Sequence, residues 1–575
     1  MTNIIRKLKS KIANLESFDS AELTERKFND HFDMLIFGKS PESSLQEEHS
    51  QFFRGMMVDP GNRSVVLGQD GFTLWKVKNK IGDYRLFEGG FVSIEWSGKS
   101  IQIQHDCFGL YPIFRYSDDE ICIVSDSLFL ISRTMKMIGK DVKLNNKANL
   151  TRAWTYGLAC SIMTKQSIIQ NVIYVPPCAM LKITTIGTKV ICSEEQLNVK
   201  KAFTLEEKPY MENLVKAKDE IVSLVNAITK TTNLGYKLGL SGGLDSRIIL
   251  ALLFQISDGL EKAYINSNTH ASRKLDYQIV KSLCEKFNFD INHEIPSQGR
   301  TSMRVQNPYG NFILFNLGVF DMTYLYRSYW DTPSLIEIGG HGAEISKGTF
   351  SNIKLTSKMP IWRPDKKMAL YKHLGESLKP FGIRVNERNS TQWHHFLYKS
   401  AIQNGRYLER TQLSLRPLMN RKLASLGLNN QEKENTILKD LLILLSPKLA
   451  AHPFDESSKN IDQDYISEIV NESKKYTVIS NKETSVYGDS DRMKNGFLNS
   501  FTSMTEKYHL DDVEKKKSLL DLMEDTWANI KDKKVKRTYS KAYEMAKIGL
   551  MDEASYLPSA GSPASKIIAL GILFE

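Results

Sequence analysis

The chain has 575 residues, 41% hydrophobic and 25% charged, which indicates a soluble globular protein with more than one hydrophobic core. Its net charge of +11 is dispersed in short basic runs, which favours a solvated basic surface over a nucleic-acid partner. The cysteines occur singly, without a CxxC pair, which argues against a zinc site or a disulfide framework. No apolar run approaches the roughly 20 residues of a membrane helix, and the N-terminus lacks a signal-peptide core, so we expect a cytoplasmic protein with no membrane partner.

The first part of the chain, to about residue 200, is β-rich by its pattern. Residues 4–15 have apolar side chains at helical spacing, which predicts a short surface helix. Segments 90–96, 101–105 and 120–125 then alternate apolar and polar residues, which predicts strands with one buried face. A charged segment at 200–208 separates this half from the next.

The second half begins with a predicted helix and continues as alternating strands and helices. The predicted elements are a helix at 211–228, a strand at 234–240, a helix at 247–255, a strand at 262–266, a helix at 277–287 and a strand at 291–295. Such alternation is typical of a parallel sheet covered by helices. Beyond about residue 360 the pattern is mostly helical, with a polar stretch at 452–460.

One glycine-rich turn has the features of a phosphate-binding loop. Two adjacent glycines before a helix N-terminus expose backbone N–H groups where the helix dipole favours an anion. Serine hydroxyls add donors, a carboxylate suits a phosphate-bound Mg²⁺, and the missing lysine excludes the Walker pattern. We therefore predict binding of a polyphosphate by Leu240, Ser241, Gly242, Gly243, Leu244, Asp245 and Ser246, and the family resemblance given below implies that it is ATP.

A second glycine-rich turn follows a predicted strand at 335–338. Ligands of parallel α/β sheets bind at the carboxyl ends of the strands, so this turn is expected beside the first. Gly340 and Gly342 are predicted to contribute to the same phosphate site, and Asp245 and Glu344 to share a Mg²⁺ ion. The alternative for this turn alone is an ordinary glycine turn with a surface glutamate.

These motifs resemble those of the asparagine synthetase superfamily. SGGLDS is similar to the ATP pyrophosphatase loop of that family, and the second turn to its S-G-E-G-[AS]-D-E loop, with His341 where β-lactam-forming relatives have Tyr and with Glu344 in place of Asp. Segment 415–421 resembles R-x-P-F-L-D, with Asn420 in place of the final Asp. The resemblance implies that residues 201–575 form an α/β domain of the PP-loop, adenine nucleotide alpha hydrolase-like type, with a parallel sheet and a helical tail.

Residues 1–200 resemble the class II glutaminase domain of the same family, an αββα sandwich. The matching landmarks are segments 88–91, 106–114, 125–126 and 175–178. A working glutaminase uses an N-terminal Cys as nucleophile, whereas this chain starts Met1-Thr2-Asn3 and has no Cys before Cys107. Glu88 also replaces the substrate-binding Asn. The resemblance therefore implies a degenerate domain that serves as a scaffold.

The resemblance implies a ligase that adenylates a substrate carboxylate, releases pyrophosphate and joins the acyl group to an amine. Without a glutaminase, the amine is expected on a small molecule or a precursor peptide, as in β-lactam synthetases and lasso peptide macrolactam cyclases, which make natural products. A primary amine with a pKa of about 10 arrives protonated, so we hypothesise that His341 is the catalytic base. Arg247 or Lys347 is a candidate phosphate contact, whereas Lys448 and Lys459 match no family motif.

Two other functions stay open. The chain is also compatible with an asparagine synthetase-like enzyme that uses ammonia although its fold is nominally glutamine-hydrolysing. A non-catalytic nucleotide-binding relative is the third interpretation, favoured by the replacements Glu344, Ile345 and Asn420. The intact SGGLDS loop argues against this last interpretation.

Overall fold

The computed structural model describes the larger part of the chain. The described residues are Lys7, Ser10, 23–27, 31–37, 51–154, 164–205, 207–269, 273–291, 301–303, 329–331, 335–350, 364–405, 413–429, 435–476, 483–490, 512–555 and 557–574. The predicted helix at 4–15 and the predicted strand at 291–295 fall almost wholly outside these ranges, and Cys160 falls outside them as well.

The strands confirm the predicted division into a β-rich first half and an alternating second half. They are β1 (Leu23–Lys27), β2 (Asp33–Phe37), β3 (Gln51–Asp59), β4 (Ser64–Leu67), β5 (Glu88–Ser97), β6 (Ser100–His105), β7 (Ile113–Ser117), β8 (Cys122–Ser125), β9 (Val172–Val175), β10 (Ala179–Ile186), β11 (Lys189–Gln196), β12 (Gly235–Gly239), β13 (Ala263–Asn266), β14 (Thr301–Met303), β15 (Tyr329–Asp331), β16 (Leu335–Ile338), β17 (Ser414–Leu415) and β18 (Ser485–Tyr487).

Two largely antiparallel sheets pack together in the first half, and β18 from the second half adds to the edge of the larger sheet, where it pairs parallel with β4. In the described part of the chain the larger sheet has the order β11-β10-β6-β5-β3-β4-β18, and the smaller one the order β8-β7-β9. Phe52, Ile103 and Leu181 of the larger sheet share a core with Ile113 and Val175 of the smaller one. The alternating apolar residues of these strands therefore lie on the face that packs against the neighbouring sheet, as predicted.

The second half contains the predicted parallel sheet. Its order is β13-β12-β16-β17, and each of these neighbouring pairs is parallel. The central strand β12 pairs Tyr236 with both Ala263 and Ile336, and Tyr236 itself is fully buried. Burial alternates along β12, where Tyr236 and Leu238 are buried and Lys237 between them is half-buried.

Helices pack against the sheets of both halves and form the C-terminal part of the fold. They are α1 (Gly68–Asn79), α2 (Leu128–Met137), α3 (Asn146–Trp154), α4 (Val199–Ala202), α5 (Tyr210–Thr231), α6 (Leu244–Phe254), α7 (Lys274–Phe287), α8 (Ala343–Ser346), α9 (Pro364–Leu378), α10 (Ser390–His394), α11 (Ala401–Gly405), α12 (Arg421–Asn429), α13 (Thr436–Leu445), α14 (Pro447–Ala450), α15 (Gln463–Ser473), α16 (Asp512–Asn529), α17 (Lys533–Met551) and α18 (Leu557–Phe574). A π-helix, His395–Ser400, joins α10 to α11. Within the described ranges, none of the helices combines the length and the apolar character that crossing a membrane requires.

Shared hydrophobic cores join the two halves of the chain. Phe108 of the first half packs edge-on against Phe203 and Phe396, with ring centroids 5.7 and 6.1 Å apart. The C-terminal helices also return to the first half, where the Arg152 guanidinium donates to the Tyr539 hydroxyl at 3.0 Å. The two predicted domains, 1–200 and 201–575, therefore share buried contacts across residue 200.

Two of the segments that resemble glutaminase motifs, at 106–114 and 175–178, form turns that stabilise the fold of the first half. The buried Asp106 carboxylate accepts N–H groups from Phe108, Leu110 and Tyr111, each at 3.0 Å, and fixes the 106–111 turn. Burial raises the pKa of Asp106 to about 6 despite these bonds. Cys178 adopts a left-handed φ of 60°, at the position where the resembled L-P-P-G motif has glycine.

Candidate active site

The first predicted loop begins where β12 ends. The Leu240 N–H donates to the Asn266 carbonyl at 2.8 Å, which extends the pairing with β13. The Ser241 N–H donates to the Ser246 hydroxyl at 3.0 Å, and the two serine hydroxyls lie 3.1 Å apart. The helix α6 starts at Leu244, three residues earlier than predicted, with Gly243 before it and no side-chain cap. Its first N–H groups are therefore left for an anion.

The glycines of the first loop allow other segments to approach it closely. The Gly242 N–H donates to the Asp276 Oδ1 atom at 3.1 Å. A Cβ atom at position 242 would lie 3.0 Å from the Asp455 Cβ and 3.1 Å from that Asp276 oxygen. Sequence reasoning missed both carboxylates. The available signals were the position of Asp276 at the start of the helix after β13, and the polar stretch at 452–460.

Arg247 fixes the 449–455 segment beneath the loop. Its fully buried guanidinium donates to the carbonyls of His452 at 2.6 Å and Pro453 at 2.7 Å, and it lies 3.7 Å from the centroid of the Phe454 ring. Burial lowers the pKa of Arg247 to about 10, which still leaves the side chain charged at neutral pH. Arg247 is therefore a positioning residue and does not reach the loop surface as a phosphate ligand would.

The two glycine-rich loops meet at the carboxyl edge of the parallel sheet, as predicted. A Cβ atom at position 340 would lie 2.8 Å from the Asp245 Cβ and 3.0 Å from the Asp245 carbonyl carbon. Only glycine at position 340 allows the second loop to touch the start of α6 in this way. Gly342 has a φ of 93°, and a Cβ atom there would overlap the Met419 side chain.

Asp245 is the central carboxylate of this edge. Its Oδ2 atom accepts a bond from the Lys347 ammonium at 2.7 Å, whereas its buried Oδ1 atom has no hydrogen-bond partner among the described residues. Burial raises the pKa of Asp245, with Lys347 and Lys459 acting against burial and Glu344 adding to it. Of the two cations predicted to assist, Lys347 is the one at the site. Lys448 is exposed on α14.

Glu344 lies near Asp245 but is held by its own surroundings. Its Oε2 atom accepts the Gly342 N–H at 3.1 Å, and its Oε1 atom accepts bonds from Ser400 at 3.0 Å and Asn404 at 2.7 Å. Ser400 ends the π-helix, an irregularity that often marks functional sites. The structure thus brings the two predicted metal ligands to one edge, and Asp245 has the oxygen that is not already bonded. Across the described ranges, no group of three His, Cys, Asp or Glu side chains is arranged to hold a metal ion.

His341 lies half-buried in the second turn, directly after β16. A Cβ atom on Gly339 would lie 2.7 Å from the His341 Nδ1 atom, so the imidazole folds back over the chain that precedes it. The structure thus places His341 at the predicted edge of the sheet. Its role as a base stays a prediction.

Glu88 and Asn420, which both differ from the residues of the resembled motifs, contact each other. The Asn420 side-chain amide faces the Glu88 carboxylate at 3.4 Å and the Glu220 carboxylate at 3.1 Å, and the Arg421 N–H donates to Glu88 at 2.8 Å. An Asp at position 420 would place three carboxylates together, whereas Asn supplies a neutral donor to two of them. Glu220 was not predicted as a site residue, because helical spacing alone does not distinguish it from other glutamates of α5.

No protein-family model matches the chain, and no curated protein matches it. The functional conclusion therefore rests on the geometry of the two loops and on the residues around them.

Proposed function

We propose that this protein is an ATP-dependent carbon–nitrogen ligase of the asparagine synthetase type. It adenylates a substrate carboxylate, with release of pyrophosphate, and then joins the acyl group to an amine, with release of AMP. In this proposal the parallel-sheet half is a PP-loop ATP pyrophosphatase domain, and the antiparallel half is a degenerate glutaminase-like αββα sandwich. The substrates are a carboxylate and an amine on a small molecule or a precursor peptide, and ring closure in natural-product biosynthesis, of the lasso macrolactam or β-lactam type, is the expected setting.

The observation that carries the proposal is the contact between the two glycine-rich loops at Gly340 and Asp245. It joins an uncapped helix N-terminus, a half-buried carboxylate and a lysine at the carboxyl edge of a parallel sheet. A nucleotide phosphate group is suited to this combination, since N–H groups and Lys347 neutralise its charge.

The residues present also fit a magnesium ion. The Oδ1 atom of Asp245 is buried and has no hydrogen-bond partner within the described ranges, which leaves it open to a cation. Asp245, with Glu344 beside it, would hold the ion, and a bound Mg²⁺ supplies positive charge to the phosphate oxygens.

The chain's own residues then divide the work of the first step. The substrate carboxylate oxygen forms a bond to the α-phosphorus, and the bond from that phosphorus to the pyrophosphate oxygen breaks. The N-terminal N–H groups of α6 and the Lys347 ammonium stabilise the charge that gathers on the leaving pyrophosphate. Arg247 holds the 449–455 segment against the loop from below.

The proposal is tested by ATP–pyrophosphate exchange with labelled pyrophosphate, screened over carboxylates and candidate precursor peptides. Exchange that depends on one carboxylate, followed by loss of one water from the product by mass spectrometry, supports a cyclising ligase. Asparagine formation at high ammonium would favour the ammonia-dependent alternative. Release of ADP in place of AMP, or nucleotide binding without any exchange, would contradict the proposal.

A further inference from the structure

A second candidate site lies between the two halves of the protein, next to the second glycine-rich loop but not lined by it. It is a cleft whose empty space, including the open solvent at its mouth, is about 740 Å³. Its walls come from β3, β5, α5 and the 414–420 segment, and much of the wall is apolar, with Met56, Leu110, Ile221 and Leu224. None of the residues of the two glycine-rich loops lines it.

One buried carboxylate in this cavity lacks a cationic partner. Glu88 is 5% exposed, and within the described part of the chain no Lys or Arg side chain forms an ion pair with it. Its Oε1 atom accepts the Arg421 N–H at 2.8 Å, whereas its Oε2 atom has only the long contact of 3.4 Å with the Asn420 amide. A buried carboxylate in this state is unfavourable as an anion unless a cation approaches it, and otherwise it takes up a proton more readily.

The other charged groups of the cavity have partners in the protein. Glu220 forms an ion pair with Lys422 and accepts a bond from Asn420 at 3.1 Å. Asp59 accepts bonds from its own turn, from the Gly61 N–H at 3.0 Å and the Asn62 side chain at 2.7 Å. Two arginines, Arg63 and Arg416, also line the cavity, and each has an interaction of its own. Glu88 is therefore the carboxylate that gains most from a ligand.

A buried serine hydroxyl in the same wall is a second, independent sign of a ligand. Ser414, the first residue of β17, lines the cavity and is 2% exposed, and its hydroxyl has no hydrogen-bond partner among the described residues. A buried hydroxyl without a partner costs about 1–3 kcal/mol, so such groups are rare unless something else satisfies them.

The cavity adjoins the candidate active site through one side chain. Met419 lines the cavity, and it also contacts Gly342 of the second loop. A ligand in the cavity would therefore lie on the other side of Met419 from the loop that carries His341 and Glu344.

The geometry points to this cavity as the binding site for a primary ammonium group on an apolar body, with Glu88 as its counter-ion and the Ser414 hydroxyl as an acceptor. An ammonium has three N–H donors, and the apolar walls accommodate the carbon chain. The inference rests on the proposed function, since it gives the amine-bearing substrate a place beside the adenylation site.

The test uses n-butylammonium chloride as the probe and the full-length protein without nucleotide. Saturation-transfer NMR titrations compare it with 1-butanol, which has the same length and no charge. The ammonium is expected to bind at least about tenfold more tightly than the alcohol, because a buried charged hydrogen bond is lost with the alcohol. Equal binding of the two, or no saturable binding of the ammonium, would overturn the inference.

Two variants assign the binding to this cavity. Glu88→Gln keeps the shape but removes the charge, and is expected to weaken ammonium binding about tenfold or more, whereas Glu95→Gln on the same strand should not, because Glu95 is bonded to Lys76 and Tyr84. Ser414→Ala should weaken binding by about threefold without lowering the melting temperature, since the hydroxyl has no bond to lose in the empty protein. Unchanged affinity in both variants would refute the assignment.

The test of ammonium binding can fail or succeed independently of the test of the proposed ligase function. Ammonium binding is measured without ATP, and ATP–pyrophosphate exchange is measured without n-butylammonium. Saturable, Glu88-dependent binding in a protein that shows no exchange would leave the site standing and remove the ligase, whereas exchange without ammonium binding would do the reverse.

Discussion

The Lys347 ammonium lies 2.7 Å from the Oδ2 atom of Asp245, and this ion pair joins the two glycine-rich loops of the parallel sheet. The pair links a helix N-terminus of the first loop to the residue that follows the short helix α8 of the second. Because about a third of the Asp245 side chain remains exposed, the pair can open toward a ligand. In the proposed enzyme, Asp245 would hold a metal ion and Lys347 would turn to the phosphates.

Asp245→Asn is expected to lower the rate of ATP–pyrophosphate exchange by about 100-fold or more, because a neutral amide cannot hold the metal or balance Lys347. The variant should fold, since the Asp245 Oδ1 atom makes no hydrogen bond with the described residues. The matched control is Asp464→Asn, an acidic residue in the first turn of α15. An exchange rate within about twofold of the parent for Asp245→Asn would contradict its placement at the metal.

Gly340→Ala should separate the two loops. Its Cβ would lie 2.8 Å from the Asp245 Cβ, so the second loop must move, and a displacement of about 1 Å can cost about 100-fold in rate. Gly239→Ala serves as the control, because a Cβ atom there meets no atom within 4 Å. The measurement is ATP–pyrophosphate exchange alongside circular dichroism of both variants. Equal exchange by the two variants would show that the contact between the loops is dispensable.

His341→Ala distinguishes the two half-reactions. If His341 deprotonates the attacking amine, amide formation should fall by about 100-fold while ATP–pyrophosphate exchange stays near the parental rate. The physical reason is that adenylation needs no amine. Rapid-quench measurement of the acyl-adenylate should show that it accumulates in the variant. Near-normal amide formation would rule out the base assignment and leave His341 as a loop residue.

Glu88 should make the stability of the protein depend on pH. Burial, and secondarily Glu220, raise the pKa of Glu88 from 4.5 to about 7, while Arg421 and Lys422 act in the opposite direction. The folded protein therefore binds this proton more tightly than the unfolded chain does. The stability that protonation of Glu88 contributes to the folded protein is fully present below pH 4.5 and is lost as the pH rises to about 7.

Urea unfolding at several pH values measures this effect as the difference between the parent and Glu88→Gln. The difference in the free energy of unfolding should fall by roughly 3 kcal/mol between pH 4.5 and pH 8, since the glutamine does not titrate. Asp106 also has a pKa raised by burial, but its effect on stability is the same in both proteins and disappears from the difference. A difference that does not change with pH would show that Glu88 is not buried as a titrating acid.

The periodicity of the sequence determined the two kinds of sheet and the place of the first loop. Alternation over residues 90–96 and 101–105 predicted β5 and β6, and the strand–glycine–helix order around 240–246 predicted β12, the turn and α6. These signals are local, because side-chain period and glycine conformation are written in neighbouring residues. The carboxyl-edge rule then predicted correctly that the second loop meets the first.

Only the tertiary structure decided which side chains serve the loop and which support it. Arg247 looked like a phosphate ligand, yet its buried guanidinium holds carbonyls about 200 positions along the chain, whereas Lys347 reaches Asp245 from the other loop. The meeting of Glu88, Glu220 and Asn420 in one cluster is equally invisible to local patterns, because each residue comes from a different element. Periodicity reports which face of an element is buried, but the packing of distant elements decides which polar groups meet there.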